Sequence, residues 1–173
     1  MSNPFELFDL PVAFEIDQAV LSERYLALQK SLHPDNFASH SAQDQRIAMQ
    51  KSTEVNDAQK ILKDPILRAE TIIALNTGLT HDPEQKSNRD VAFLMQQLEW
   101  REALNGIENS QDEAALEDFT QQIKAEQKQM IAELTLSLNN QDWQEADGLC
   151  DKLRFVKKLM VEIERVEDKI FEG

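Results

Sequence analysis

His33, Pro34 and Asp35 set an imidazole and a carboxylate two residues apart, across a rigid pyrrolidine ring. Such a pair could move a proton, or could join His40 in holding a metal ion. The rest of the chain supplies little of what either chemistry needs. The only histidines are His33, His40 and His81, none spaced four residues from another. No partnered nucleophile, metal-ligand motif or glycine-rich phosphate loop accompanies them. The single cysteine, Cys150, excludes an internal disulfide and a Cys-rich zinc or cluster site. It falls in an apolar helical stripe and reads as a small buried hydrophobe rather than a reactive thiol. A small hydrolase or metal protein using His33, Asp35 and His40 stays open as a rival on these residues, although no catalytic residue, cofactor or metal is expected and the chain is not expected to be an enzyme. A second reading of the tripeptide is structural, with Pro34 ending a helix and Asp35 capping a turn. A third is display to a partner, because the proline holds both polar side chains in a nearly fixed arrangement.

The elements that position this corner follow from periodicity. Upstream, Leu21, Tyr25, Leu28 and Leu32 recur at i, i+4, i+7 and i+11, one face of a helix with Asp17 as its N-cap. Downstream, Ala48, Ser52, Val55, Ala58 and Leu62 mark a second helix that begins near Ser41 or Asp44. Pro34 lacks an N–H and pushes His33 out of the helical region, so the first helix must stop there. Asp64-Pro65 restarts the chain, with Asp as cap and Pro at the first helical position. Ile66, Ala69 and Ile73 form the apolar side of that helix, and Gly78 is its stop. Residues 77–85 are the expected joint between one domain at 1–76 and another at 86–173.

In the second domain a helix is expected from Asp82-Pro83 to about Ile107, broken by Gly106, Asn109 and Ser110. Ser110 with Glu113 has the form of a capping box for the next helix, whose inner stripe is Leu116, Phe119, Ile123, Met130, Leu134 and Leu138. Asn139-Asn140-Gln141 turns the chain, and Asp142 with Glu145 forms a second capping box. The last helix carries Ala146, Leu149, Leu153, Val156, Met160, Ile163 and Ile170 at steps of three and four, with Glu167 as the polar interruption. Three helices joined by short turns make a three-helix bundle, and the fold class is all-α.

The first helix of that bundle is apolar on two sides. At about 100° per residue, Phe93, Trp100, Leu104 and Ile107 line one side, while Val91, Leu94, Met95 and Leu98 line the opposite one. Glu99, Arg101 and Glu102 mix with or flank the second set, which marks it as the outer side: an apolar centre with a charged rim is interface anatomy. The alternative is that both stripes are buried, the second against the N-terminal domain.

Composition limits the partners. The net charge is −14, unevenly shared: residues 1–75 hold 7 Lys and Arg against 11 Asp and Glu, and residues 76–173 hold 11 against 21. That acidity argues against nucleic acid or an anionic membrane surface and favours basic protein surfaces. The N-terminus carries Glu6 and Asp9 and no basic stretch, so it does not read as a signal peptide, and no apolar run approaches a membrane span. A cytoplasmic location is expected.

Several motifs in a fixed order add a resemblance to these readings. Phe5-Glu6-Leu7-Phe8-Asp9-Leu10, then Arg24-Tyr25-Leu26-Ala27-Leu28, then His33-Pro34-Asp35, then Val55-Asn56-Asp57-Ala58-Gln59-Lys60-Ile61-Leu62 with Asp64-Pro65 and Arg68-Ala69-Glu70, resemble a J-domain over about the first 75 residues. Asp90-Val91-Ala92-Phe93-Leu94-Met95-Gln96-Gln97-Leu98-Glu99 and Lys152-Leu153-Arg154-Phe155 extend the likeness, and nearly the whole chain resembles the HscB co-chaperones of bacterial iron–sulfur cluster assembly.

The resemblance implies a J-domain followed by a three-helix bundle, and two partners. His33, Pro34 and Asp35, with the thin basic face of Arg24 and Lys30, would engage an HscA-type chaperone ATPase of the DnaK class. Leu94, Met95, Leu98, Glu99, Glu102 and Phe155 would bind an IscU-type cluster scaffold. Phe155 lies off the inner stripe of its own helix, consistent with that role. Two positions depart from the family pattern: Asn36 stands where many relatives have Lys, and Gly106 stands where an acidic contact is expected. The implied function is to stimulate the chaperone's ATPase and deliver the scaffold to it. A general J-type co-chaperone for unfolded clients is the alternative, and would be expected to carry a Met-rich or Gly/Phe-rich adaptable surface that this chain lacks.

Overall fold

The computed structural model describes residues 3–79 and 90–172, and all of its regular elements are helical. The chain divides into two compact units, Met1–Leu75 and Asn76–Gly173. In the first unit, α1 (Pro4–Leu7) is capped by the Asn3 side chain, which accepts from the Glu6 amide at 3.0 Å. Asp9, in the left-handed region at φ 53°, turns the chain away after it. This short helix buries Phe5 and Phe8 completely. Asp17 caps α2 (Gln18–Ser31) by accepting from the Ala19 and Val20 amides, and Ser41 caps α3 (Ala42–Lys63) through the Asp44 amide. Asp64 does the same for α4 (Pro65–Thr77), accepting from Ile66 at 2.8 Å.

The α2–α3 pair is held by more than an apolar seam. Tyr25 donates its hydroxyl to Asn56 Oδ1 at 2.6 Å, Gln29 Nε2 donates to the same oxygen at 2.9 Å, and Ser52 donates to Gln29 Oε1 at 2.8 Å. Residue 25 meets 56 and residue 29 meets 52, the register of an antiparallel hairpin. Of the expected α2 stripe only Leu21 is fully buried; Tyr25, Leu28 and Leu32 are half-buried, and hydrogen bonds complete their face.

Two arginines tie the segment between α1 and α2 to the helices. Arg24 Nη1 donates to the carbonyls of Phe8, at 2.8 Å, and Asp9. Arg68, on α4, is buried; its Nε donates to Phe14 O and its Nη1 to Leu62 O, both at 2.6 Å, and its guanidinium sits 4.7 Å from the Phe14 ring centroid. Burial lowers the Arg68 pKa and the nearby Asp64 carboxylate partly restores it.

The second unit contains α5 (Val91–Ser110), α6 (Glu113–Asn139) and α7 (Trp143–Glu172). The start expected at Asp82-Pro83, and the joint beyond Leu79, lie outside the described residues. Helix α6 packs along α7, and α5 rests on both. Leu116, Phe119, Ile123, Met130, Leu134 and Leu138 of α6 are all buried, as their spacing requires. On α7 the buried seam takes Leu159 and Val166, whereas Met160 is half-buried and Glu167 is exposed. The seam keeps Leu149, Val156, Ile163 and Ile170 at seven-residue steps and takes Leu159 and Val166 beside them, each one residue before the expected position. Glu167 therefore interrupts nothing.

Two boundaries also differ from expectation. Gly106 and Asn109 do not break α5, which continues to Ser110 and ends where Gln111 adopts φ 54°. The helix tolerates the glycine because packing, not propensity, holds its last turn. Asp112 then caps α6, accepting from the Ala115 amide at 3.1 Å, so the cap is Asp112 and not Ser110. Asp142 accepts from the Glu145 amide at 3.3 Å at the start of α7.

Candidate functional site

The first candidate site is the corner after α2. His33 takes an extended backbone, as the residue before a proline should, and Pro34–Phe37 form one turn of 3-10 helix. His33 Nδ1 accepts the Asp35 amide at 3.2 Å, so the neutral ring carries its proton on Nε2 and offers that N–H as a donor. The Asp35 carboxylate lies 3.5 Å from the same Nδ1, and only a protonated ring would make this an ion pair. Asn36 Nδ2 donates to the carbonyls of Lys30, at 2.8 Å, and Ser31, adding side-chain hydrogen bonds at the end of α2. From α3, Gln45 Nε2 donates to Phe37 O at 3.0 Å and to His40 O, and the Phe37 and His40 rings pack 5.2 Å apart. The backbone of the corner is thus held from both helices while its side chains stand free: His33 is 60% exposed and Asp35 92%.

Around the corner the expected basic face separates into two kinds of residue. Lys30 is exposed, without an ion pair among the described residues. Arg24 is half-buried and its Nη1 is committed to the Phe8 and Asp9 carbonyls, so it braces the fold. Among the described residues no cluster of three His, Cys, Asp or Glu side chains could hold a metal ion.

The second candidate site is on α5 and α7. Asp90 caps α5 through the Phe93 amide at 2.9 Å and pairs with Lys152 of α7 at 3.4 Å. The hydrogen bond from the Phe93 amide, and then Lys152, hold the Asp90 carboxyl below the usual range. One side of α5 is core: Trp100 and Leu104 are buried, and Phe93 and Ile107 half-buried. The other side is open. Met95 and Leu98 are each 57% exposed, Val91 is exposed, Leu94 is half-buried between them, and Glu99 and Glu102 are exposed beside them.

Phe155 of α7 is brought to this helix by an aromatic cluster. Its ring stacks on Trp100 at 6.2 Å and meets Phe93 edge-on at 5.8 Å, and the Arg101 guanidinium lies 5.4 Å from its centroid. Farther along, Glu108 accepts two hydrogen bonds from Arg165, both at 3.1 Å, and one from Lys169 at 3.3 Å; Arg165 is also held by Glu162 at 3.0 Å. The Arg165 hydrogen bonds lower the Glu108 pKa, and the Glu108 carboxylate in turn raises that of Arg165. This clamp joins residues 57 apart in sequence, and no local pattern announces it.

Comparison with known proteins places the chain in a family. Residues 89–164 match the family model described as the HSCB C-terminal oligomerisation domain. The co-chaperone protein HscB homolog of Mannheimia succiniciproducens is 62% identical over 170 residues, covering 98% of each chain. That of Haemophilus influenzae is 63% identical over 172 residues, covering 99% of each. The solved structure of the chaperone HscB from Vibrio cholerae superposes with a TM-score of 0.93 at 43% identity, over 97% of this chain and 99% of that one. A helical hairpin with an exposed His-Pro-Asp corner, a three-helix bundle and relatives matched from end to end agree: this chain belongs to the HscB family of co-chaperones.

Proposed function

We propose that the chain is an adaptor in iron–sulfur cluster assembly, with its N-terminal unit engaging an HscA-type chaperone ATPase and its C-terminal bundle capturing an IscU-type cluster scaffold. The observation that carries this reading is the strip of Met95 and Leu98. Two large apolar side chains stand exposed on a helix whose opposite side is already core, with Leu94 half-buried beside them and Glu99 and Glu102 at the rim. Phe155 of α7 meets the edge of α5 under the Arg101 guanidinium, which flanks the strip.

At the other site, His33 and Asp35 offer an Nε2–H donor and a carboxylate from a backbone already ordered by Asn36 and Gln45, which lowers the entropy lost on binding. The carboxylate can accept a charge-assisted hydrogen bond from an arginine of the chaperone. The corner performs no chemistry. It favours the chaperone conformation that hydrolyses ATP by binding that conformation more tightly. Carrying both sites on one chain raises the effective concentration of the scaffold beside the chaperone.

A calorimetric titration of an IscU-type scaffold into the parent and into Met95→Ala/Leu98→Ala tests the strip. Both side chains are largely exposed, so the variant keeps its fold. Its affinity should fall at least tenfold, since removing apolar anchors from an interface centre costs about 2 kcal/mol or more. Undiminished binding would remove the strip from the interface.

A further inference from the structure

Beyond Phe155 the space between α5 and α7 is a groove of about 550 Å³ that no role described so far uses. Leu104, Leu159 and the Phe155 ring line its floor, and Val161 lines its lip. Leu104 and Leu159 are buried, but Val161 is 59% exposed, an apolar side chain on the outer side of α7 between Lys158 and Glu162. Two cations also line this space. The Arg101 guanidinium lies over Phe155, and Lys158 follows one turn of α7 farther on. Neither forms an ion pair among the described residues. The other charges there are matched, because Arg165 is occupied by Glu108 and Glu162. From α5 the only further polar side chain is that of Asn105. In a chain of net charge −14, two unpaired cations over an apolar floor are a local reversal of sign.

We propose that this groove receives an apolar side chain flanked by a carboxylate, from the same scaffold partner that Met95 and Leu98 engage. The inference rests on the reading given under Proposed function and makes the docking surface bipolar: Glu99 and Glu102 meet basic groups, while Arg101 and Lys158 meet an acidic one. Arg101 gives the continuity, since it flanks the strip on α5 while its guanidinium lies over Phe155 and lines the groove. A rim of one sign would accept the partner in either direction along the strip, whereas a rim of two signs selects one. The Glu108–Arg165 pair joins the walls at the far end, so the groove is formed before binding.

The test titrates a purified IscU-type scaffold protein into the full-length chain by calorimetry at low and high salt, comparing Lys158→Glu, Val161→Asp and Met95→Ala/Leu98→Ala with the parent. Lys158 and Val161 are exposed, so circular dichroism should be unchanged in both single variants. Reversing Lys158 should weaken binding about fivefold or more, with the loss shrinking as salt rises. Val161→Asp should weaken it at both salt concentrations. If the two single variants bind like the parent while the double variant loses affinity, the groove lies outside the footprint and this proposal fails, leaving the strip in place. If Lys158→Glu binds more tightly, the partner's segment is basic and the proposal is overturned. If the double variant itself binds like the parent, the underlying reading fails and takes the groove with it.

Discussion

His33 serves two ends with two nitrogens. Nδ1 closes the turn by accepting the Asp35 amide, and Nε2 is left as the donor that the proposed function offers to a partner. His33→Gln should therefore abolish stimulation of the chaperone's ATPase while leaving the thermal midpoint within a few degrees of the parent, because the side chain is mostly exposed. Arg68 behaves oppositely. It is buried, hydrogen-bonded to two carbonyls and packed on Phe14. Arg68→Ala leaves both acceptors without their partner and should cost about 3–5 kcal/mol in urea unfolding of the N-terminal unit. A loss below about 1 kcal/mol would mean that the loop before α2 is held by other contacts. Asn36 belongs with Arg68 as a holding residue. The resemblance read from the sequence marks it only as a departure from Lys, whereas its amide closes the end of α2. That role was hidden in the sequence because it depends on where the 3-10 turn brings the side chain back.

At the scale of elements, the readable features were those whose cause is local. Asp17, Ser41, Asp64 and Asp142 each cap the helix that their neighbours suggested, and the α6 stripe is the buried one. The misreadings share a different cause. Val166 rather than Glu167 enters the seam because packing against the neighbouring helices, not the heptad count, selects between adjacent residues, and Asp112 rather than Ser110 is a cap because Gln111 turns left-handed. The Glu108–Arg165–Lys169 clamp joins distant residues and leaves no periodic trace. Its pH dependence follows from sign. The folded-state pKa of Glu108 is lowered, so the stability it contributes is present above the unfolded carboxylate pKa and is lost as pH falls through the folded one. Glu108→Gln should lower the thermal midpoint at pH 7, and that difference should close in acid as the parent carboxyl protonates. A gap that persists at pH 2.5 would assign the loss to shape instead of charge.

For the whole molecule, the proposed function requires two docking sites that fail separately. The His33-Pro34-Asp35 corner is built from α2, α3 and their connection, and the apolar strip is built on α5 with Phe155 of α7, so each site draws on its own unit. The two were unequally legible. The corner's proline could be read directly, whereas the strip's exposure depended on which side of a doubly apolar helix the bundle would take, and the aromatic packing of Phe93, Trp100 and Phe155 decides that. The most direct measurement is the steady-state ATPase rate of a cognate HscA-type chaperone with and without an IscU-type scaffold, using the parent, His33→Gln and Met95→Ala/Leu98→Ala. His33→Gln should lose stimulation under both conditions, while the double variant should keep the stimulation seen without scaffold and lose only the increment that scaffold adds. Equal loss by both variants under both conditions would contradict two separable sites on one chain.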